Sequence, residues 1–293
     1  MTRTQKKKLI TYAVVVIIAI IFMLSEKTGR SNIKEEISDG DDYSYVHFLD
    51  VGQGDCTLIE SADGQYALID TSTQSASGKI ISYLEKEGVE KLEFILFTHP
   101  HEDHIGCGDE IIENFNVGTV YMTEKVEDTT AYRNLLDAIT VSKQENNTSV
   151  ICPEKDDVFK LSDIEFTVLS DGSLFDDLND SSICLKMELG KSTFIFTGDA
   201  ETKVERYILE GGENISAEVY KCAHHGSSTS NSEDFIDAVN PDIAIISCGN
   251  DNSYGHPHDE VITSLSERNI LYRRTDLDGD IVIAFDDDSI GIL

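Results

Sequence analysis

The chain has 293 residues, 40% of them hydrophobic, enough for one large core or two modest ones and too apolar for a disordered tail. Its 55 Asp and Glu against 23 Lys and Arg give a formal net charge of −32, which excludes a passive grip on nucleic acid through a basic patch. Six cysteines lie far apart with no C-x-x-C pair, which removes zinc-ribbon and thioredoxin-like readings and leaves buried free thiols as the expectation.

In chain order, residues 1–8 are a basic cytoplasmic tail ("RTQKKK") and residues 9–25 a transmembrane anchor. The uncharged run Leu9 to Leu24 would span roughly 24 Å as a helix, and flanking lysines can snorkel to cover the rest of the membrane core. A secretory signal has the same layout, but "SEKTGR" offers no A-x-A-like cleavage site, so an uncleaved single-pass anchor is expected. The lysine cluster then places everything from about Glu26 outside the cytoplasm, on the cell membrane. Residues 1–30 hold six Lys/Arg and one acid, so residues 31–293 carry −37 of the formal charge. Residues 26–42 are polar and aperiodic, a linker.

One domain fills residues 43–293. "YSYVHFLDV", "DCTLIES" and "QYALIDT" read as strands separated by "GQG" and "ADG". "SGKIISYLEKEG" has helical spacing closed by Gly88, and "LEFILFT" is a short apolar run typical of a strand buried on both faces. The next 80 residues are less regular, with a helix near Tyr132 to Ile139, strands at "TSVICP" and "IEFTVLS", and the acidic loop "SDGSLFDDLNDSS". "ICLKMEL", "STFIFTGD", "AEVYKCAHHGS" and "DIAIISCG" follow as strands, and "DEVITSLSERN" as a helix. "ILYRRTD" and "DIVIAFDDD" are expected to form a final pair around "LDGD".

Seven of the eight histidines sit where apolar strands end, which is where ligand-bearing loops converge in α/β sheets. His47, inside the first strand, is an ordinary structural residue. "HPHEDH" places His99, His101, Asp103 and His104 in six positions, more ligands than one ion needs. Two ions bridged by a carboxylate would use the supply, with water activated between them as the nucleophile. "DVGQGD" joins two strands with no helix after it, so it is not a phosphate cradle. Asp50 and Asp55 there are expected to support backbone or ligands. The serines of "HHGSSTS", Ser227 among them, read as capping or substrate-contacting groups rather than nucleophiles.

"THPHEDH", "FTGD" and "AHHGS" resemble the metallo-β-lactamase superfamily. "FLDVGQGDCTLIE", "SSICLKMELGKSTFIFTGDAE", "KCAHHGSSTS" and "NDNSYGHPH…YRRTDLDGDI" are more narrowly similar to the hydrolase-like domain of competence DNA-uptake channel proteins. The resemblance covers about Tyr43 to Phe285. It implies an α/β fold, an αββα sandwich, with two divalent metal ions between the sheets, zinc being the expected metal for both and manganese the alternative. His99 and His101 would hold the first ion, Asp103 and His104 the second; Asp199 would bridge, and His225 would complete the second site. His224 is left as ligand or proton donor. His224, His256 and His258 can each titrate near neutrality, so any could serve a leaving group; His256 is placed at the rim and His258 there or in a structural loop.

The chain departs from many superfamily members in having no histidine between His104 and His224. The matching place is "NDSS", Asn179 to Ser182, where Asp180 could substitute or form a turn. The expected activity is a phosphodiesterase or nuclease, with Asp103, His224 and His256 at the chemistry. A choline-phosphate-type envelope esterase or a lactonase of the same fold is the alternative, and a non-catalytic scaffold the second. Sequence leaves the oligomeric state open.

Overall fold

Residues along the strands alternate between two apolar layers, and this period of two dictates the architecture. The computed structural model describes residues 43–293; the expected basic tail, anchor and linker lie outside the described residues. Among the described residues no helix is long and apolar enough to cross a membrane.

β1 (Ser44–Phe48), β2 (Thr57–Glu60), β3 (Tyr66–Ile69), β4 (Lys91–Leu96), β5 (Asn116–Tyr121) and β6 (Ser149–Ile151) lie side by side in chain order. A second sheet holds β7 (Val158–Leu161), β8 (Ile164–Ser170), β9 (Cys184–Leu189), β10 (Ser192–Phe196), β11 (Val219–Lys221), β12 (Ile243–Ile246) and β13 (Leu271–Arg274), also in order. β14 (Ile281–Phe285) and β15 (Ile290–Ile292) then return to the first sheet, where β14 pairs antiparallel with β1 from Ser44↔Phe285 to Phe48↔Ile281. The expected pairing of "ILYRRTD" with "DIVIAFDDD" is therefore wrong. The first lies parallel to β12 and the second crosses to the other sheet. "LDGD" carries a crossover, with Thr275–Asp278 forming a short helical turn rather than a hairpin.

On the first sheet, α1 (Ser77–Lys86), α2 (Glu102–Ile105), α3 (Gly108–Asn114) and α4 (Thr130–Glu145) pack Ile80, Leu84, Ile105, Ile111 and Leu135 against Leu58, Leu68 and Ile95. On the second, α5 (Thr202–Gly211), α6 (Glu233–Val239) and α7 (Asp259–Glu267) pack Ile208, Phe235 and Leu265 against Ile195, Tyr220 and Ala244. Between the sheets, Val46, Phe94, Phe166, Phe194, Ile245 and Ile283 form the middle layer. Phe94 meets Tyr121, Phe159 and Phe166 edge-on, with centroids 5.3–5.6 Å apart. Burying such a ring is worth about 1.5–3 kcal/mol. The order is helices, sheet, sheet, helices: the expected αββα sandwich. Five cysteines are buried free thiols and the sixth, Cys152, is an exposed one.

Candidate metal centre

Ligand-type side chains arrive from strand ends of both sheets. β4 ends in Thr98 and His99; His101 stands just before α2, and Asp103 and His104 lie inside that helical turn. The motif is therefore half loop and half helix, rather than a loop throughout. From the second sheet, β10 leads to Asp199, and β11 to His224 and His225. Both of these histidines are left-handed (φ 50° and 54°), a conformation costing on the order of 1 kcal/mol or more for a non-glycine residue. The kink lets both imidazoles face one carboxylate: each Nε2 lies 3.7 Å from Asp199 Oδ2.

Asp199 is the hub. Its Oδ1 lies 3.1 Å from His104 Nε2 and its Oδ2 3.9 Å from His99 Nε2. His225 Nε2 also lies 3.3 Å from Asp103 Oδ2, and His99 Nε2 is 3.0 Å from His101 Nδ1. One ligand atom each from Asp103, His104, Asp199 and His225 lies within 4.8 Å of all the others. His104 Nε2 and Asp199 Oδ1 are buried, and neither makes a hydrogen bond despite their proximity. Buried polar atoms left so are costly, and two of them turned toward a common point fit residues that share a cation. The donor set, imidazole and carboxylate, suits zinc or manganese.

The electrostatics agree. Burial alone would raise the Asp199 carboxyl, but the imidazoles of His104, His225 and His99 hold it well below the usual carboxylate range. Burial would lower His225, yet Asp199 and Asp55 push it up to about 10. A field that strong on an imidazole is one that retains positive charge, whether proton or metal ion. His99 moves the other way: burial and the neighbouring His104 hold it well below its usual value, which leaves a neutral imidazole.

Behind the ligands stand residues that fix their tautomers. His225 Nδ1 donates to the Ser247 carbonyl at 3.0 Å and lies 3.3 Å from Asp55 Oδ1, so Nε2 is free to face the centre. His104 Nδ1 sits 2.7 Å from Asp70 Oδ2. Asp70 also accepts from the Thr98 N–H and hydroxyl, both at 2.8 Å. The "GQG" loop is stitched to the ligand turn, with Asp55 N–H donating to the Asp103 carbonyl at 3.1 Å. Gly54 is required there: its φ is +146°, and a Cβ would stand 2.6 Å from that same carbonyl.

All six expected ligands, His99, His101, Asp103, His104, Asp199 and His225, are brought together, with His224 and His256 beside them. Four others are not. Asp50 lies on the surface, 3.4 Å from Lys79. Asp180 turns its carboxylate to the Glu201 N–H (3.1 Å) and Lys203 (3.3 Å), so it caps the approach to α5 instead of replacing a histidine. Ser227 accepts from the Thr229 N–H in its own turn. His258 Nδ1 accepts from the Ser228 N–H at 2.9 Å and begins α7, the structural alternative for that residue.

Four contributors were not given their roles by the sequence reading, two of them inside the "NDSS" stretch it singled out. Asp70 looked like a strand end, and Lys221, 2.8 Å from Asp55 and buried with it, looked like a strand residue. In "NDSS" the residue facing the centre is Asn179, whose Oδ1 is buried without a partner. Ser182 Oγ lies 3.3 Å from His99 Nδ1 and accepts from the Asp199 N–H.

The ligands floor a cleft of about 340 Å³ rimmed by Gln53, Glu102, Asn179, Tyr254 and His256. Among the described residues no lysine or arginine lines it.

The sequence model described as "Metallo-beta-lactamase superfamily" matches residues 49–250. ComE operon protein 3 of Bacillus subtilis (strain 168) is 31% identical over 254 residues, 80% of this chain and 32% of its own length. Recombination protein 2 of Haemophilus influenzae is 31% identical over 255 residues, 84% of this chain and 29% of its own. The chain thus spans about a third of the length of these relatives. Among solved structures, the metallo-beta-lactamase fold protein YhfI from Bacillus subtilis superposes with a TM-score of 0.56 at 11% identity, covering 83% of this chain and all of its own; the likeness is one of fold.

Proposed function

The chain belongs to the metallo-β-lactamase superfamily, and from that premise we propose that it is a dinuclear metal-dependent hydrolase of phosphodiesters, with nucleic acid as the leading substrate. The observation that carries the reading is Asp199, buried between the imidazoles of both sheets with one oxygen unpartnered. His99, His101 and Asp199, with Asn179 in the place of the missing histidine, would hold one ion. Asp103, His104, Asp199 and His225 would hold the other. Divalent ions there would supply a nucleophile at neutral pH, polarise the electrophile and give local positive charge to a domain that otherwise repels phosphate.

The chain's own groups do the rest. Asp70 and the Ser247 carbonyl hold the His104 and His225 tautomers. His224, its Nδ1 3.3 Å from the Thr229 hydroxyl and 3.9 Å from Glu201, presents Nε2 to the cleft and is placed to protonate a leaving oxygen. His256, with a buried Nδ1 that has no partner, stands 5.4 Å from it, ring to ring. Burial and the neighbouring His225 and His224 lower it to about 4, so it is a neutral imidazole at the rim and not the second proton donor expected from sequence. The competence and recombination names of the relatives support nucleic acid within the phosphodiesters.

The test is a screen of the purified chain on linear DNA, bis-p-nitrophenyl phosphate, a choline-phosphate ester and a cephalosporin, before and after chelation and with zinc or manganese restored. Metal-dependent cleavage of the two phosphodiester substrates is expected. Activity in protein shown metal-free by elemental analysis, or turnover confined to the cephalosporin, would overturn the proposal.

A further inference from the structure

Tyr254 is, among the described residues, the one large aromatic side chain on the rim of the cleft, and it is held out rather than folded in: 65% of it is exposed. One side of its ring stacks on His256, with centroids 5.6 Å apart and planes 21° apart. His256 in turn meets His224 at 5.4 Å, so the stack leads directly to the ligands.

The turn that carries Tyr254 is fixed by a single side chain. Asn252 Oδ1 accepts from the N–H groups of Tyr254 (3.2 Å) and His256 (3.0 Å). Its Nδ2 donates to the carbonyls of Gly249 (2.9 Å) and His256 (2.6 Å). His258 Nδ1 accepts from Ser228, which leaves the proton on Nε2, and that group donates to the Tyr254 carbonyl at 3.4 Å. An exposed ring on a turn so tied loses little freedom when it meets a ligand.

The cleft offers little else for a polyanion. Among the described residues its lining has no lysine or arginine and includes Glu102 and Asp103, so phosphates flanking the reacting one find no permanently charged cation there. Affinity for a nucleic-acid strand must come from its uncharged parts, and stacking on an aromatic ring is the sequence-tolerant way to obtain it. We infer that Tyr254, backed by His256, is a stacking platform for an unpaired nucleobase next to the scissile phosphate, so that the site takes single-stranded rather than duplex nucleic acid. This rests on the phosphodiesterase reading above.

The test uses the metal-loaded full chain with three substrates: a single-stranded oligonucleotide, the same strand with an abasic site beside the scissile phosphate, and a glycerol phosphodiester with no base. In Tyr254→Ala the ratio of KM for the intact strand to KM for the base-free ester should rise about tenfold, as expected for one stacked base. Tyr254→Phe should keep the wild-type ratio, and the abasic strand should behave as the alanine variant does. An unchanged ratio, or preference for duplex over single strand, would overturn the platform while leaving phosphodiester cleavage intact. A comparable loss on a choline-phosphate ester would give the ring to a cationic headgroup and overturn the nucleobase assignment. Should the wild type cleave no phosphodiester, the catalytic reading fails and stacking is read alone, by quenching of 2-aminopurine in the strand. Quenching that Tyr254→Ala loses supports the platform, and none in the wild type removes it.

Discussion

Lys221 and Asp55 show how single residues serve the centre without touching it. Both are buried, 2.8 Å apart, Lys221 at the end of β11 in the second sheet and Asp55 in the loop that leads into β2 of the first. Burial would lower the lysine, but Asp55 holds it above its usual value. Burial would likewise raise Asp55, and Lys221 and His225 hold it far below. Removing one partner strands a charge in the interior, so Lys221→Met should cost about 3–5 kcal/mol of stability. Asp55→Asn with Lys221→Met removes both charges and should recover most of that loss, read from urea midpoints. A pair that merely braced the sheets would leave the double variant binding metal like wild type. Because Asp55 also lies against His225 Nδ1, its metal affinity should instead be ten- to a hundredfold weaker, on the order seen when partners of ligating histidines are lost.

At the scale of elements, α6 has a start that depends on pH. Ser232 caps it by accepting from the Phe235 N–H, and Glu205 of α5 accepts from the N–H groups of Asn231 (2.5 Å) and Ser232 (3.0 Å). Burial raises the Glu205 carboxyl above its usual value of 4.5, and these backbone bonds only partly oppose it. The folded state therefore binds this proton more tightly than the unfolded state. The stability it lends is present below pH 4.5 and is lost as pH rises through the folded value. Glu205→Gln, which stays neutral, should flatten that part of the unfolding profile as pH rises above 4.5, while the rest of the profile is retained.

The same scale separates what sequence carries from what it does not. β1 to β4, β8 to β12, α1 and α7 were legible because apolar period and turn residues agree. β5 was not, since "NVGTVY" contains Gly118, where a Cβ would meet the Glu93 carbonyl at 2.6 Å; a glycine demanded by packing reads locally as a break. β7 is only four residues, "VFKL", two of them exposed, too short a run to stand out from the turns beside it. α3 and α6 are short and acid-rich, and α5 mixes acids with bases, so their apolar faces are evident only against a sheet. The ligands were legible because four crowd into one motif. Asp70, Asn179 and Lys221 were not, because each matters through a partner distant in the chain.

For the whole molecule, charge outside the cleft sets how substrate arrives. With a formal −32 and, among the described residues, no lysine or arginine at the cleft, a nucleic-acid strand is repelled at long range. Raising salt from roughly 0.01 M to 0.1 M shortens the Debye length from about 30 to about 10 Å. KM for an oligonucleotide should therefore fall as salt rises, the reverse of a protein that grips phosphates, while a small neutral ester should respond little. Steady-state kinetics across a salt series decides the sign.

The strand that returns, β14, gives the domain an order of assembly. Its Ile283 and Phe285 belong to the layer between the sheets, and its backbone covers the edge of β1. A ribosome that has released the chain only to Gly279 has made every ligand-type residue of the centre, yet the first sheet is still open on one side. Long-range pairing of this kind is slow to form and leaves sticky faces bare meanwhile. The domain is thus a finished receptacle only once β14 has emerged, later than every ligand-type residue it encloses.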